Sequence, residues 1–178
     1  MSIRYTLAAA TLAVLTSYSA VTLAGGTHPG EHHHDHDESA IGQAGDAGKV
    51  SRTVMVDMTD AMRFVPAQVS VKQNETIRFV VKNSGKVKHE FVLGTEAALK
   101  EHYQVMLKFP EMEHADANMV TVAPGQTGEV IWQFTKSGKV DFACLQPGHY
   151  DAGMKGLVAV VGANMPTEEK DGHTDHKH

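Results

Sequence analysis

The chain has 178 residues, 42% of them hydrophobic and 21% charged, with a formal net charge of −5. That length suits one ordinary domain with appendages rather than two, and the acidic balance removes the electrostatic case for binding nucleic acid or an anionic membrane surface. Histidine is the unusual residue: there are 12 of them beside a single cysteine, Cys144.

In chain order, Arg4 precedes the apolar run "YTLAAATLAVLTSYSA" and then "TLA" before Gly25. A positive start, a short apolar stretch and a small-x-Ala exit read as a signal peptide over residues 1–24, cut after Ala24. Thr16, Ser17 and Ser19 interrupt the run too early for a membrane span. The expectation is export to a bacterial periplasm with no stable membrane insertion after cleavage. Export makes the lone thiol conspicuous, because oxidising compartments favour paired cysteines. Cys144 therefore needs protection, by burial or by a metal.

Residues 25–49, "GGTHPGEHHHDHDESAIGQAGDAGK", combine Gly, acid and His28, His32, His33, His34 and His36. With almost nothing apolar to bury, this segment reads as a disordered, metal-collecting tail. From Val50 the pattern changes. Segments 50–58, 67–72, 75–83, 88–93, 118–123, 128–134, 138–144 and 155–161 are short, rich in Val, Ile, Phe and Thr, and separated by turns such as "KNSGK" and "APGQTG". About eight such strands predict an all-β, antiparallel β-sandwich over residues 50–162. One insertion breaks the run: "TEAALKEHYQVMLK" has Thr95 as N-cap, Leu99, Tyr103, Met106 and Leu107 at helical spacing, and Pro110 just beyond. Residues 163–178 read as a second flexible, histidine-containing tail.

The chemistry concentrates in "DFACLQPGHYDAGMKG", where Cys144, His149 and Met154 follow one another at intervals of five, with Gly148 and Gly153 beside the last two. One thiolate, two imidazoles and a weak axial thioether make a set that suits both Cu(I) and Cu(II). The second imidazole must come from another strand, and "KVKHEFVL" offers His89. Zinc would accept Cys and two His but binds methionine poorly. A multicopper oxidase or copper nitrite reductase needs further core histidines, and only His102 and His114 remain in the domain.

His89 with "CLQPGHYDAGM" resembles the type 1 copper site of cupredoxins, the plastocyanin and azurin superfamily, in its rusticyanin-like Cys-x4-His-x4-Met form. The His-rich leader, "MRFVP", "KHEFVLG" and "KFPEMEHADAN" are similar to periplasmic copper-tolerance cupredoxins of the CopI type. The resemblance implies a Greek-key sandwich with one type 1 copper held by His89, Cys144, His149 and Met154. It also departs from many small blue copper proteins, which carry Asn after the first histidine where this chain has Glu90. That substitution bears on the hydrogen bonding of the thiolate.

Two functions stay open at this point. One is copper tolerance, in which the chain binds copper and oxidises Cu(I) to Cu(II), with the tails as further copper sites. The other is a small electron carrier between redox partners. The implied partners are copper ions with a periplasmic redox partner, or a copper exporter or oxidase. His102, Met106, Met112 and His114 form a candidate second copper site around the helix.

Overall fold

The computed structural model describes residues 40–112 and 115–162. The expected signal peptide, the histidines at 28, 32, 33, 34 and 36, His114, and the C-terminal tail lie outside the described residues. Ten strands in two five-stranded sheets make up the described β-structure. The first sheet runs in the order β1 (Gln43–Ala44), β8 (Thr127–Gln133), β5 (Thr76–Asn83), β2 (Arg52–Thr59), β3 (Arg63–Val65). The second runs β4 (Gln68–Lys72), β10 (Lys155–Val161), β9 (Gly138–Ala143), β6 (His89–Gly94), β7 (Met119–Val122). All eight expected strands are present, with two short additions, β1 and β3.

The sandwich is not purely antiparallel. β2 pairs with β5, and β4 with β10, in parallel. Parallel neighbours need a crossover between them. Here β3 and β4 supply it, carrying the chain from one sheet into the other before β5 returns beside β2.

The core lies between the sheets. Alternation sends Val56 and Met58 of β2, Ile77, Phe79 and Val81 of β5, and Phe91 and Leu93 of β6 into it. Phe91 is the hub of its aromatic contacts, with ring centroids 5.0 Å from Phe142, 5.2 Å from Phe79 and 5.9 Å from Phe64. All six residues of β6 are buried, because its outer face is covered as well.

The cover is helix α1 (Glu96–Lys108), whose first turn is capped by Thr95 Oγ1 accepting from the Ala98 amide at 3.2 Å. Leu99, Tyr103 and Met106 form its buried stripe against Val92, Met119, Ala143, Leu145 and Tyr150. Leu107, at the edge of the stripe, is exposed. No described helix is long and apolar enough to cross a membrane.

The tail boundary moves. Residues 40–49 belong to the folded unit: Ile41 is 3% exposed, and its carbonyl accepts the Trp132 indole N–H at 3.0 Å. β1 then adds to the edge of β8. Gly42 makes this approach feasible, with φ of +123° and a position where a Cβ would stand 2.1 Å from the Gln133 carbonyl oxygen. A buried indole N–H without an acceptor is costly, so this segment completes the core. Replacing Ile41 by Ala should lower unfolding stability by about 2–4 kcal/mol, read from urea titration of Trp132 fluorescence. An unchanged midpoint would return this segment to the tail.

Candidate metal centre

The pairing of β6 with β9, in which Val92 faces Ala143 and Leu93 faces Phe142, brings His89 and Cys144 to the same end of the second sheet. His89 opens β6, and Cys144 follows the last residue of β9. The loop 144–154 then connects β9 to β10, and it is closed at its base by the Cys144 amide donating to the Met154 carbonyl at 3.1 Å. Inside it the His149 amide bonds the Gln146 carbonyl, and the Met154 amide the His149 carbonyl, both at 3.0 Å. Gly148 and Gly153 take φ of +83° and +89°, left-handed turns that let so short a loop carry His149 and Met154 inward.

Three donor atoms converge. His89 Nδ1 lies 3.2 Å from His149 Nδ1, Cys144 Sγ lies 3.2 Å from His149 Nδ1, and Sγ lies 4.0 Å from His89 Nδ1. Among the described residues this is the group of His, Cys, Asp and Glu that gathers three ligand atoms within 4.8 Å. His89 and Cys144 are fully buried and His149 is half-buried. Met154 is fully buried in the same apolar cluster as Cys144.

Protonation follows from burial. Loss of solvent pushes the Cys144 thiol up to about 12, against the opposing pull of the Glu90 and Gln146 amides. Burial, and then the charge of His89, hold His149 below the ordinary imidazole range, with Asp60 acting the other way. The imidazole therefore stays neutral and keeps a lone pair. A metal cation reverses the thiol's preference by replacing its proton. Two imidazoles and a soft sulfur aimed at one point fit copper by their donor chemistry.

Surrounding groups set the geometry. Asp60, which follows β2, accepts at Oδ1 from His89 Nε2 at 3.3 Å and receives the Lys86 amide at 2.8 Å on Oδ2. Its carboxyl is held below the usual range, first by that Lys86 amide and then by His89. Since Nε2 faces Asp60, Nδ1 is the nitrogen free for the cluster. The Glu90 amide donates to Sγ at 3.3 Å, so the hydrogen bond put in question by the missing Asn comes from the backbone at the same position. Helix α1 braces the loop: the Tyr103 hydroxyl accepts from the Gly148 amide at 3.0 Å and donates to Asp151 at 2.8 Å. The Tyr103 ring stacks on Tyr150 at 5.0 Å. Arg63 donates to the Ala152 carbonyl at 2.9 Å on the other side.

Three of the four residues expected to form a second site around α1 are described. Met106 is fully buried in the apolar layer beneath the helix. His102 is half-buried on α1, Met112 is exposed, and His114 lies outside the described residues. Asp60, Arg63 and Tyr103 were missed as site residues, since each reaches the centre from a distant segment with no local spacing to flag it.

A two-sheet β-sandwich carrying two imidazoles and a thiol at one end, on a strand and on the loop that leads into the last described strand, defines a copper-binding domain of the cupredoxin class. The chain belongs to the plastocyanin/azurin family of copper binding proteins, whose family model matches residues 50–161. It is 54% identical over 136 residues to "Copper-resistant cuproprotein CopI" of Rubrivivax gelatinosus, covering 76% of this chain and 82% of that protein. The protein of the same name in Pseudomonas aeruginosa is 37% identical over 150 residues, covering 68% and 82%. In fold, the chain is similar to the dithionite-reduced auracyanin of Roseiflexus castenholzii, with a TM-score of 0.56 and 21% identity over 63% of this chain and 98% of that one.

Replacing Asp60 by Ala should weaken copper affinity about 10- to 100-fold in chelator competition, while Asp60→Asn, which keeps an acceptor for His89, stays near the parent. Equal affinity in the Ala variant would remove Asp60 from the centre. The thiol supplies a pH test on the metal-free protein. Its folded pKa is raised, so its contribution is complete below the unfolded value near 9 and is lost as pH rises towards about 12. At pH 10 the loss should be about 1.4 kcal/mol, measured as the difference in urea stability between the parent and Cys144→Ala. Parallel pH profiles for the two would contradict it.

Proposed function

We propose that this chain is an exported copper-resistance protein that holds one type 1 copper through His89, Cys144, His149 and Met154 and oxidises Cu(I) to Cu(II). The observation that carries the reading is the convergence of His89, Cys144 and His149 with one edge left near solvent: His149 is half-buried while its partners are sealed. A sealed thiol is kept from oxidation, and a half-open imidazole gives an electron a short way in. The names of its relatives support copper resistance as the setting. When bound, the copper supplies a one-electron couple between Cu(I) and Cu(II).

The protein's residues do the rest. Cys144 gives up its proton on loading and receives the Glu90 amide, which stabilises charge on sulfur. Asp60 holds His89 by Nε2, and Tyr103 and Arg63 hold the loop that presents His149 and Met154. A braced loop changes little between oxidation states, which keeps the reorganisation small. Met154, buried in the same cluster as Cys144, would offer the copper a soft thioether contact. The leader histidines 28, 32, 33, 34 and 36 alternate with Asp35 and Asp37 and act as a Cu(II) collector, as neutral imidazole and carboxylate favour the borderline ion.

Cells lacking the chain should stop growing at a lower copper concentration, with respiration at ordinary copper unchanged. A copy carrying Cys144→Ser should fail to restore tolerance. Normal tolerance with impaired respiration would instead establish the electron-carrier reading.

A further inference from the structure

A cavity of about 570 Å³ lies beside the centre, lined by Lys88, Glu90, Met112, Met119, Val120 and Thr121 among others. The register of β6 with β7 accounts for it. Glu90 faces Thr121 and Val92 faces Met119, so these four share the outer face of the sheet. Val92 and Met119 pack in the apolar layer under α1, and the cavity opens towards Glu90.

Glu90 is a carboxylate only 4% exposed. Gln146 Nε2 donates to its Oε1 at 2.5 Å, and Thr121 Oγ1 donates to the same atom at 3.4 Å. Both bonds fall on one oxygen, Oε1, and Glu90 is among the residues that line the cavity. The Glu90 amide, on the opposite side of the residue, donates to Cys144 Sγ. A single residue thus spans from the cavity to the thiolate.

A wall with two thioethers and one carboxylate oxygen has a definite preference. Thioethers select soft Cu(I), whereas a carboxylate favours the harder Cu(II), and neither suits Mg²⁺ or Ca²⁺ in this mixture. Lys88 adds a positive charge to the wall and weakens the hold on any cation. Such a site admits Cu(I) and releases Cu(II) rather than storing either.

We propose that this cavity is the entry site for Cu(I) as substrate, bound by Glu90, Met112 and Met119. One electron leaves the docked Cu(I) and passes through the Glu90 peptide to the oxidised copper held by Cys144. The substrate ion becomes Cu(II), the resident centre is reduced by one electron, and no proton moves. The electron step rests on the oxidation reading above; the binding site does not.

The test uses the full chain labelled with [methyl-13C]methionine, loaded with reduced, diamagnetic copper and titrated with Ag(I), a redox-inert ion with the charge and softness of Cu(I). The methyl readout is blind to ions taken by the histidine tail. The Met112 and Met119 signals, assigned by Met112→Leu and Met119→Leu, should shift together and saturate in step, while Met154 stays still. Glu90→Gln retains the Oε1 hydrogen bonds and should weaken the response about tenfold. Still signals at Met112 and Met119, or an undiminished response in Glu90→Gln, would overturn the site. Next, oxidised copper-loaded protein is mixed with weakly chelated Cu(I), and the bleaching of its thiolate absorption is timed. Bleaching at least about tenfold slower in the Met112→Leu, Met119→Leu double variant supports the entry site. Equal rates overturn it and leave Cu(I) oxidation standing. If Cu(I) bleaches nothing in the unaltered protein, the oxidation reading falls and takes the electron step with it, whatever Ag(I) does.

Discussion

Everything at the functional end of this molecule depends on holding three polar donor atoms together inside a β-sandwich. Two imidazole nitrogens 3.2 Å apart and a sulfur beside them are groups that burial ordinarily penalises. The fold sustains them by giving His89 Nε2 a partner in Asp60 and Cys144 Sγ a partner in the Glu90 amide. The converging nitrogens and sulfur are left for a metal. The site is thus prepared by what surrounds it, and the copper completes a set of bonds that the protein has half made.

The helical insertion belongs to that preparation. Without α1 the outer face of β6 at Val92 would be open to water. With it, Tyr103 reaches over the sheet and fixes the backbone of the ligand loop at Gly148 and its side chain at Asp151. The loop is therefore held from the helix on one side and from Arg63 on the other. That pairing ties the geometry of His149 to two elements far apart in the chain.

The sequence made the strands and ligands legible for different reasons. The eight expected strands announced themselves by their Val, Ile, Phe and Thr content and by the turns that separate them. The grouping of His89, Cys144 and His149 was legible by chemistry, since a thiol with two imidazoles has few other uses. Ile41 was not, for a single apolar residue in a polar segment has no period, and only the Trp132 indole explains it. Asp60 carried no local signal, because its partner His89 lies on another strand. Met106 shows the reverse case. A thioether four residues from a histidine suggests a site, but helical spacing equally builds a buried stripe, and here the stripe claims it. The parallel pairs were hidden too, since alternation reports which face is buried and not which way a neighbour runs.

The order of strands also governs when the thiol can first be sheltered. A chain made from its N-terminus offers β1 long before its partner β8, and β4 long before β10. Cys144 appears late, just ahead of the strand that pairs with both β9 and β4. Most of both sheets is already synthesised when the sulfur arrives, and few residues remain before its pocket can close. The vulnerable atom is introduced last, so the interval in which it meets an oxidant without cover is as brief as the topology allows.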